Sequence, residues 1–327
     1  MIAVTGAAGF IGANLVAELN RRGYGDIVAV DFFAPPGPSH DMKNDPAWLD
    51  SMDVTARVDV ADFPAWLEKN GAQVESIVHM GACSDTTQSD EAFITANNFE
   101  YTRTLWNWAT ANQRPFVYAS SAATYGDGDA GYDDACDPSV YQPLNLYGWS
   151  KHNFDLWALE QTATPPRWAG MKFFNVYGPR ENHKGRMASV VFHAFNQIRE
   201  TGQVRLFESH REDYPHGGQM RDFVYVEDVV NMTLHMLFNT ASETSPNGVY
   251  NAGSGTARPF QALAEATFAA MDLEPNITYF PMPEDLRGKY QYFTEATMDK
   301  LVAAGYTVPR HDLESGVKAY VEWLKQQ

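Results

Sequence analysis

The chain has 327 residues, with 24 Lys and Arg against 41 Asp and Glu, a net charge of −17 and a pI near 4.8. That balance argues against a nucleic-acid or membrane-surface partner, because affinity for phosphate backbones and anionic lipid needs many Lys and Arg. At 44% hydrophobic with only two cysteines, Cys83 and Cys136, the composition fits one large α/β domain with or without a smaller lobe. It fits no disulfide framework or zinc pattern, and the expectation is a soluble protein of a reducing cytoplasm.

Ile2-Ala3-Val4-Thr5 is an apolar run suited to a buried parallel strand. It leads into Gly6-Ala7-Ala8-Gly9-Phe10-Ile11-Gly12. Phe10, Ile11, Asn14, Leu15, Glu18 and Leu19 then fit an amphipathic helix that stops by Gly23. A second strand, Ile27 to Val30, ends in Asp31, and the Pro/Gly cluster at 33–38 reads as a surface loop. Strand, glycine turn, helix, strand and terminal acid predict the first βαβ unit of a doubly wound, parallel Rossmann sheet that binds a dinucleotide. In that reading Gly6 makes the tight turn, Gly9 lets backbone approach a pyrophosphate, and Gly12 lets helix and strand pack. Amides around Phe10 and Ile11 face the phosphates, and Asp31 and Phe32 face the ribose.

Further along, the strand Ser76 to His79 delivers Met80-Gly81-Ala82-Cys83-Ser84 as a loop over the cofactor, with Asn97 expected at the start of the next helix, near the cofactor's ribose or nicotinamide side. His79 reads as a structural histidine. Phe116 to Ser121 is an apolar strand with two hydroxyls at its end, and Tyr147 and Lys151 follow at helical i,i+4 spacing. A free phenol is a poor base near neutrality; a neighbouring ammonium favours its phenolate. Ser121, Tyr147 and Lys151 together can take a proton from an alcohol as hydride leaves its carbon.

The G-x-x-G-x-x-G spacing, with the Ser strand and Y-x-x-x-K, resembles the short-chain dehydrogenases/reductases. Phe174-Asn175-Val176-Tyr177-Gly178-Pro179-Arg180, Arg221-Asp222-Phe223-Val224-Tyr225-Val226-Glu227-Asp228 and Asn251-Ala252-Gly253-Ser254-Gly255 resemble the extended branch that modifies sugar nucleotides. Within that branch the chain is similar, from Ile2 to near Trp323, to the ADP-L-glycero-D-manno-heptose 6-epimerases. His183-Lys184-Gly185-Arg186-Met187-Ala188-Ser189-Val190 is the most discriminating segment.

The resemblance implies transient oxidation of the heptose to a ketone and return of hydride to the opposite face. It implies Tyr147 and Lys184 as acid/base groups on the two sides of the carbinol oxygen, with Lys184 as a phosphate-binding cation the alternative. Substrate contacts would come from Ser121, Asn175, Arg186, His193, Leu206, Phe207, Glu208, Ser209, Arg221 and Tyr290, and a cofactor contact from Val176. Asp31 alone favours NAD. The resemblance favours NADP, with Lys43, the only Lys or Arg between Asp31 and Arg57, on its phosphate. It also implies a homo-oligomer, commonly a pentamer.

Three departures stand out. Arg186 replaces a Ser, Lys172 replaces an Arg, and 209–218 is longer than in some relatives. A 4,6-dehydratase is disfavoured because Ala122-Ala123-Thr124 supplies no carboxylate after Ser121; a UDP-sugar 4-epimerase and a non-catalytic dinucleotide sensor are the remaining rivals. The expected division puts 1–172 with about 221–251 in a cofactor lobe, and about 173–220 with 252–327 in a substrate lobe.

Overall fold

The computed structural model describes residues 1–33, 44–239, 247–287, 290–307 and 309–327. Lys43 and most of the Pro/Gly cluster lie outside the described residues. In chain order the strands are β1 Ile2–Thr5, β2 Ile27–Asp31, β3 Ala56–Asp59, β4 Ser76–His79, β5 Phe116–Ser121 and β6 Trp168–Phe173. They continue with β7 Asn175–Tyr177, β8 Val204–Phe207, β9 Met220–Tyr225, β10 Gly248–Ala252, β11 Ala257–Pro259 and β12 Ile277–Phe280. The helices are α1 Phe10–Arg21, α2 Phe63–Asn70, α3 Glu91–Ile94, α4 Tyr101–Ala111, α5 Leu146–Glu160 and α6 Val190–Thr201. After these come α7 Val226–Phe238, α8 Phe260–Ala270, α9 Glu284–Arg287, α10 Asp299–Ala303 and α11 Leu313–Leu324.

Seven strands form the main sheet in the order β3-β2-β1-β4-β5-β6-β10, each neighbouring pair parallel. The reversal of direction at β1 and β4 leaves a crevice at the strands' carboxyl ends, where ligands of such sheets bind. The alternation of side chains explains the unbroken apolar runs. Val4, Ala29, Val78 and Val117 face a core shared with α1, α7 and α11. Their neighbours Ala3, Val28, Ile77 and Phe116 face a second core with α2, α4 and α5. Trp106 is its centre, edge-on to Trp168 at 4.9 Å.

Outside this sheet, β9 lies between β7 and β11, and β12 pairs with β8. A small apolar core joins α6 and α8 through Ala194, Ile198, Leu206, Ala264 and Phe268. α7 packs on β5 and β6 of the main sheet and β10 pairs with β6, whereas Met220–Tyr225 pairs with β7 and β11.

Two of the sequence signatures prove to be one structural knot. Buried Asp222 accepts four hydrogen bonds, from the Ser254 amide (2.6 Å), the Ser254 hydroxyl (2.8 Å), the Gly255 amide (2.9 Å) and the Ala296 amide (3.0 Å). Buried Asn251 accepts from the Tyr125 hydroxyl at 2.6 Å and donates to the Tyr132 and Thr297 carbonyls. Asp222→Ala orphans four donors at once and is expected to cost more than about 3 kcal/mol, measured by urea unfolding.

Candidate active site

The glycine turn is built by contact between backbones. Gly6 adopts φ +64°, and a Cβ there would stand 2.7 Å from the Gly81 nitrogen. At Gly12 a Cβ would meet the Gly6 carbonyl oxygen at 1.9 Å. Gly9 is less constrained: its φ is −82°, and a Cβ there would meet the Gly6 carbonyl oxygen tightly at 3.2 Å with nothing else within 4 Å, so its outer side is open. Gly9, as the N-cap residue, supplies no side-chain cap to α1. Uncapped amides at a helix start bind anions, so this cradle fits a pyrophosphate.

Asp31 closes the other side of the turn. Its buried carboxylate accepts from the Ala8 amide (2.8 Å), the Phe32 amide (2.8 Å) and the Asn44 side-chain amide (2.9 Å). Burial pushes this carboxyl up, against the pull of those bonds.

The loop after β4 is pinned to β1. Met80 N donates to the Thr5 carbonyl and Gly81 N to Thr5 Oγ1, both at 3.1 Å. Thr5 Oγ1 lies 2.6 Å from His79 Nδ1, and His79 Nε2 lies 2.9 Å from Thr102 Oγ1, which donates to the Asn98 carbonyl at 2.7 Å. With the Thr102 proton committed to Asn98, Nε2 carries the imidazole hydrogen and Nδ1 accepts. Burial holds His79 down to about 3, so it is the neutral structural residue expected.

Asn97 needs correction. The helix begins at Glu91 and Asn97 lies within a π-helical segment, Thr95–Glu100, so it does not open the helix. Its side chain turns back to the Phe93 carbonyl at 2.8 Å. Its neighbour Asn98, missed in the sequence, is buried and grips the loop from both sides: Oδ1 accepts from Cys83 N (2.8 Å), and Nδ2 donates to Cys83 O (2.9 Å) and Ser150 Oγ (2.9 Å). The extra residue per turn of a π-helix decides which of two adjacent asparagines faces inward. The pair itself was the only signal in the chain.

Ser121 ends β5 and its Oγ accepts from Ala123 N at 3.1 Å. Asn145 caps α5 by accepting from Gly148 N at 2.8 Å. A Cβ at Gly148 would stand 2.8 Å from the Ala123 carbonyl oxygen, so glycine lets α5 press on the turn after Ser121. Burial pushes the Tyr147 phenol up, and the nearby Ser121 hydroxyl opposes it. Lys151 is buried, donates to the Ala119 carbonyl at 2.8 Å, and is pushed down to about 8 by burial. Burial is the largest influence on the Tyr147 phenol, and the expected lowering by Lys151 does not offset it. Both groups feel the Cys83 thiol, so Ser121, Tyr147, Lys151 and the 80–84 loop do converge.

Lys184 reaches the same end of the sheet by another route. Asn14 on α1 donates to the Pro179 carbonyl (2.8 Å) and accepts from Arg180 (2.8 Å). Buried Glu181 accepts from the Ser189 amide and hydroxyl, each at 2.6 Å, and from Gly178 N at 3.3 Å. The loop so anchored carries Lys184 over the Phe10 ring, 5.0 Å from its centroid. Arg186 is exposed, and its carbonyl lies 3.4 Å from His193 Nε2. Val176 pairs with Val224, and Asn175 at the start of β7 is exposed.

The remaining expected substrate residues gather in the smaller lobe. Buried Arg221 donates to the carbonyls of Met220 (2.8 Å) and Gln291, with its guanidinium 5.0 Å from the Tyr290 ring centroid. Tyr290 stands edge-on to Phe207 at 6.1 Å. Glu208 N bonds the Phe280 carbonyl, and Ser209 N bonds His216 Nδ1, so Leu206 to Ser209 form one wall. The loop 209–218 packs by Arg211 and Tyr214 on Tyr292. Gln291 donates to the Gly126 carbonyl, which ties this cluster to the turn leading from Ser121.

A profile of the NAD dependent epimerase/dehydratase family matches residues 2–253. ADP-L-glycero-D-manno-heptose-6-epimerase of Fusobacterium nucleatum is 46% identical over 335 residues, covering 98% of this chain and 97% of that protein. The protein of the same name from Nitratidesulfovibrio vulgaris is 46% identical over 325 residues, with 98% and 97% covered. The crystal structure of Helicobacter pylori ADP-L-glycero-D-manno-heptose-6-epimerase matches with a TM-score of 0.81 at 27% identity, covering 100% of this chain and 96% of that one.

The Asn98 clasp is directly testable. Asn98→Ala frees both Cys83 backbone groups and is expected to weaken dinucleotide binding, measured by calorimetric titration, and to cost about 1–3 kcal/mol of stability.

Proposed function

The chain belongs to the NAD-dependent epimerase/dehydratase family, and from that premise we propose that it inverts C6 of ADP-D-glycero-D-manno-heptose to give ADP-L-glycero-D-manno-heptose. The observation that carries the reading is Tyr147 beside the Ser121 hydroxyl, with buried Lys151 one turn further along α5 and tied to the Ala119 carbonyl, at the carboxyl end of β5 next to the glycine cradle. A C6 proton of the sugar is not acidic, so inversion needs oxidation to a ketone and reduction from the other side.

When bound, the nicotinamide supplies a reversible hydride acceptor and, oxidised, a positive charge. Tyr147 takes the carbinol proton, helped by that charge against its burial, and Ser121 holds the reacting oxygen. Lys151 donates to ribose hydroxyls and supports the phenolate. Lys184, carried on the loop that Glu181 anchors, exchanges a proton on the opposite side. Arg221, with Tyr290 and the Leu206 to Ser209 wall, grips the nucleotide diphosphate. His193, Asn175 and Arg186 complete the substrate contacts.

NADP is the proposed dinucleotide. Three donors already occupy the two oxygens of Asp31, leaving it little capacity for a ribose hydroxyl, and Lys43 is the one cation the intervening sequence offers to a phosphate. A homo-oligomer, pentameric by family resemblance, in the cytoplasm belongs to the same reading, as does the division into a cofactor and a substrate lobe.

Incubation with ADP-D-glycero-D-manno-heptose is expected to yield its 6-epimer, read by NMR, without net consumption of NADP. Turnover of UDP-galactose in its place would overturn the assignment. Tyr147→Phe and Lys184→Met are each expected to lower kcat by about 10²-fold or more. Because Lys151 loses its proton above about 8, kcat/KM is expected to fall as pH rises through that value; a rate still climbing at pH 9 would remove Lys151 from the mechanism.

A further inference from the structure

Behind the proposed catalytic groups lies a buried pair that this reading does not use. Asp155 sits one helical turn beyond Lys151 on α5, and Lys172 lies on β6; both are buried. Lys172 Nζ is 3.2 Å from Asp155 Oδ2 and donates to Thr124 Oγ1 at 2.6 Å. It also lies over the Tyr125 ring, 4.6 Å from its centroid. Asp155 Oδ2 accepts from the Ser120 hydroxyl (2.7 Å) and Oδ1 from the Tyr118 hydroxyl (2.9 Å). Thr124 in turn donates to the Ser121 carbonyl at 2.8 Å.

Every one of the last residues of β5 is therefore held from this side of the sheet. The Ala119 carbonyl is held by Lys151, the Ser120 hydroxyl by Asp155, and the Ser121 carbonyl through Thr124 by Lys172. We infer that Asp155 and Lys172 are positioning residues that lock Ser121 and Lys151 in mutual register and set the charge state of Lys151. The inference rests on the redox role given above to Ser121, Tyr147 and Lys151.

The surroundings fix the sign. Lys151 faces Asp155 and Tyr147 on its own helix, Cys83 from the loop after β4 and His79 from β4. Asp155 and Cys83 favour its ammonium, while burial opposes it. Lys172 also faces His152 on α5 and Lys300 on α10. Removing the Asp155 charge takes away an anion that favours the Lys151 ammonium, so Lys151 moves towards the neutral form.

The test is Asp155→Asn in the full chain, with lysines isotopically labelled so that Lys151 titrates by NMR. Its midpoint is expected to fall, the alkaline limb of kcat to move down with it, and kcat to drop about tenfold to a hundredfold while KM stays put. An unchanged midpoint and pH profile would overturn the inference. Should Asp155→Asn fail to fold, Ser120→Ala keeps both charges and removes one donor to Asp155. The Lys151 midpoint is then expected not to fall, while kcat drops about threefold to tenfold as β5 loses one tie; an unchanged kcat would refute the proposal. If the unaltered chain does not epimerise the sugar, the functional reading fails by itself, and the Lys151 midpoint still decides the pair.

Discussion

The meeting of two bare backbones, Gly6 against Gly81, is the constraint on which the rest depends. It draws the β1 turn and the β4 loop together with no side chain between them, at the point where the sheet reverses direction. Thr5, His79, Thr102 and Asn98 then form an unbroken buried hydrogen-bond chain that carries the same placement to Cys83 and, through Ser150, to α5. Each member is satisfied, and a fully satisfied buried polar network fixes one arrangement where an apolar one would tolerate several.

A chain of net charge −17 resolves its conflict with anionic ligands by withdrawing carboxylates and displaying cations. Asp31, Glu181, Asp222 and Asp228 are buried and used as acceptors for backbone amides. Lys184 lies over Phe10, Arg221 over Tyr290 and Arg211 over Tyr292. Aromatic faces help hold these cations in place.

The electrostatics of the Tyr147 site show why proximity of opposite types is not enough. Burial pushes phenol and ammonium towards their neutral forms from opposite sides, so the helical spacing of Tyr147 and Lys151 does not alone make a base. Asp155 and Cys83 oppose burial at Lys151 but add to it at Tyr147, where the Ser121 hydroxyl opposes it, and a cationic ring placed over the site would favour the phenolate further.

Period and punctuation were enough to read the parallel sheet, the glycine turn, Asp31 at the end of β2, and the Ser121, Tyr147 and Lys151 set, because each depends on residues near one another along the chain. The role of His79 was legible for the same reason. Asn98 was not, since a π-turn rotates the helix by a residue and only packing selects which asparagine turns inward. Glu181, Asp155 and Lys172 were likewise hidden: a buried charge is recognised by its partners, and Ser189, Ser120 and Thr124 reach theirs only when the sheet closes. Local sequence determined which groups this protein possesses; the tertiary fold decided which of them are desolvated and against what, and in a low-dielectric interior that sets their charge and their reach.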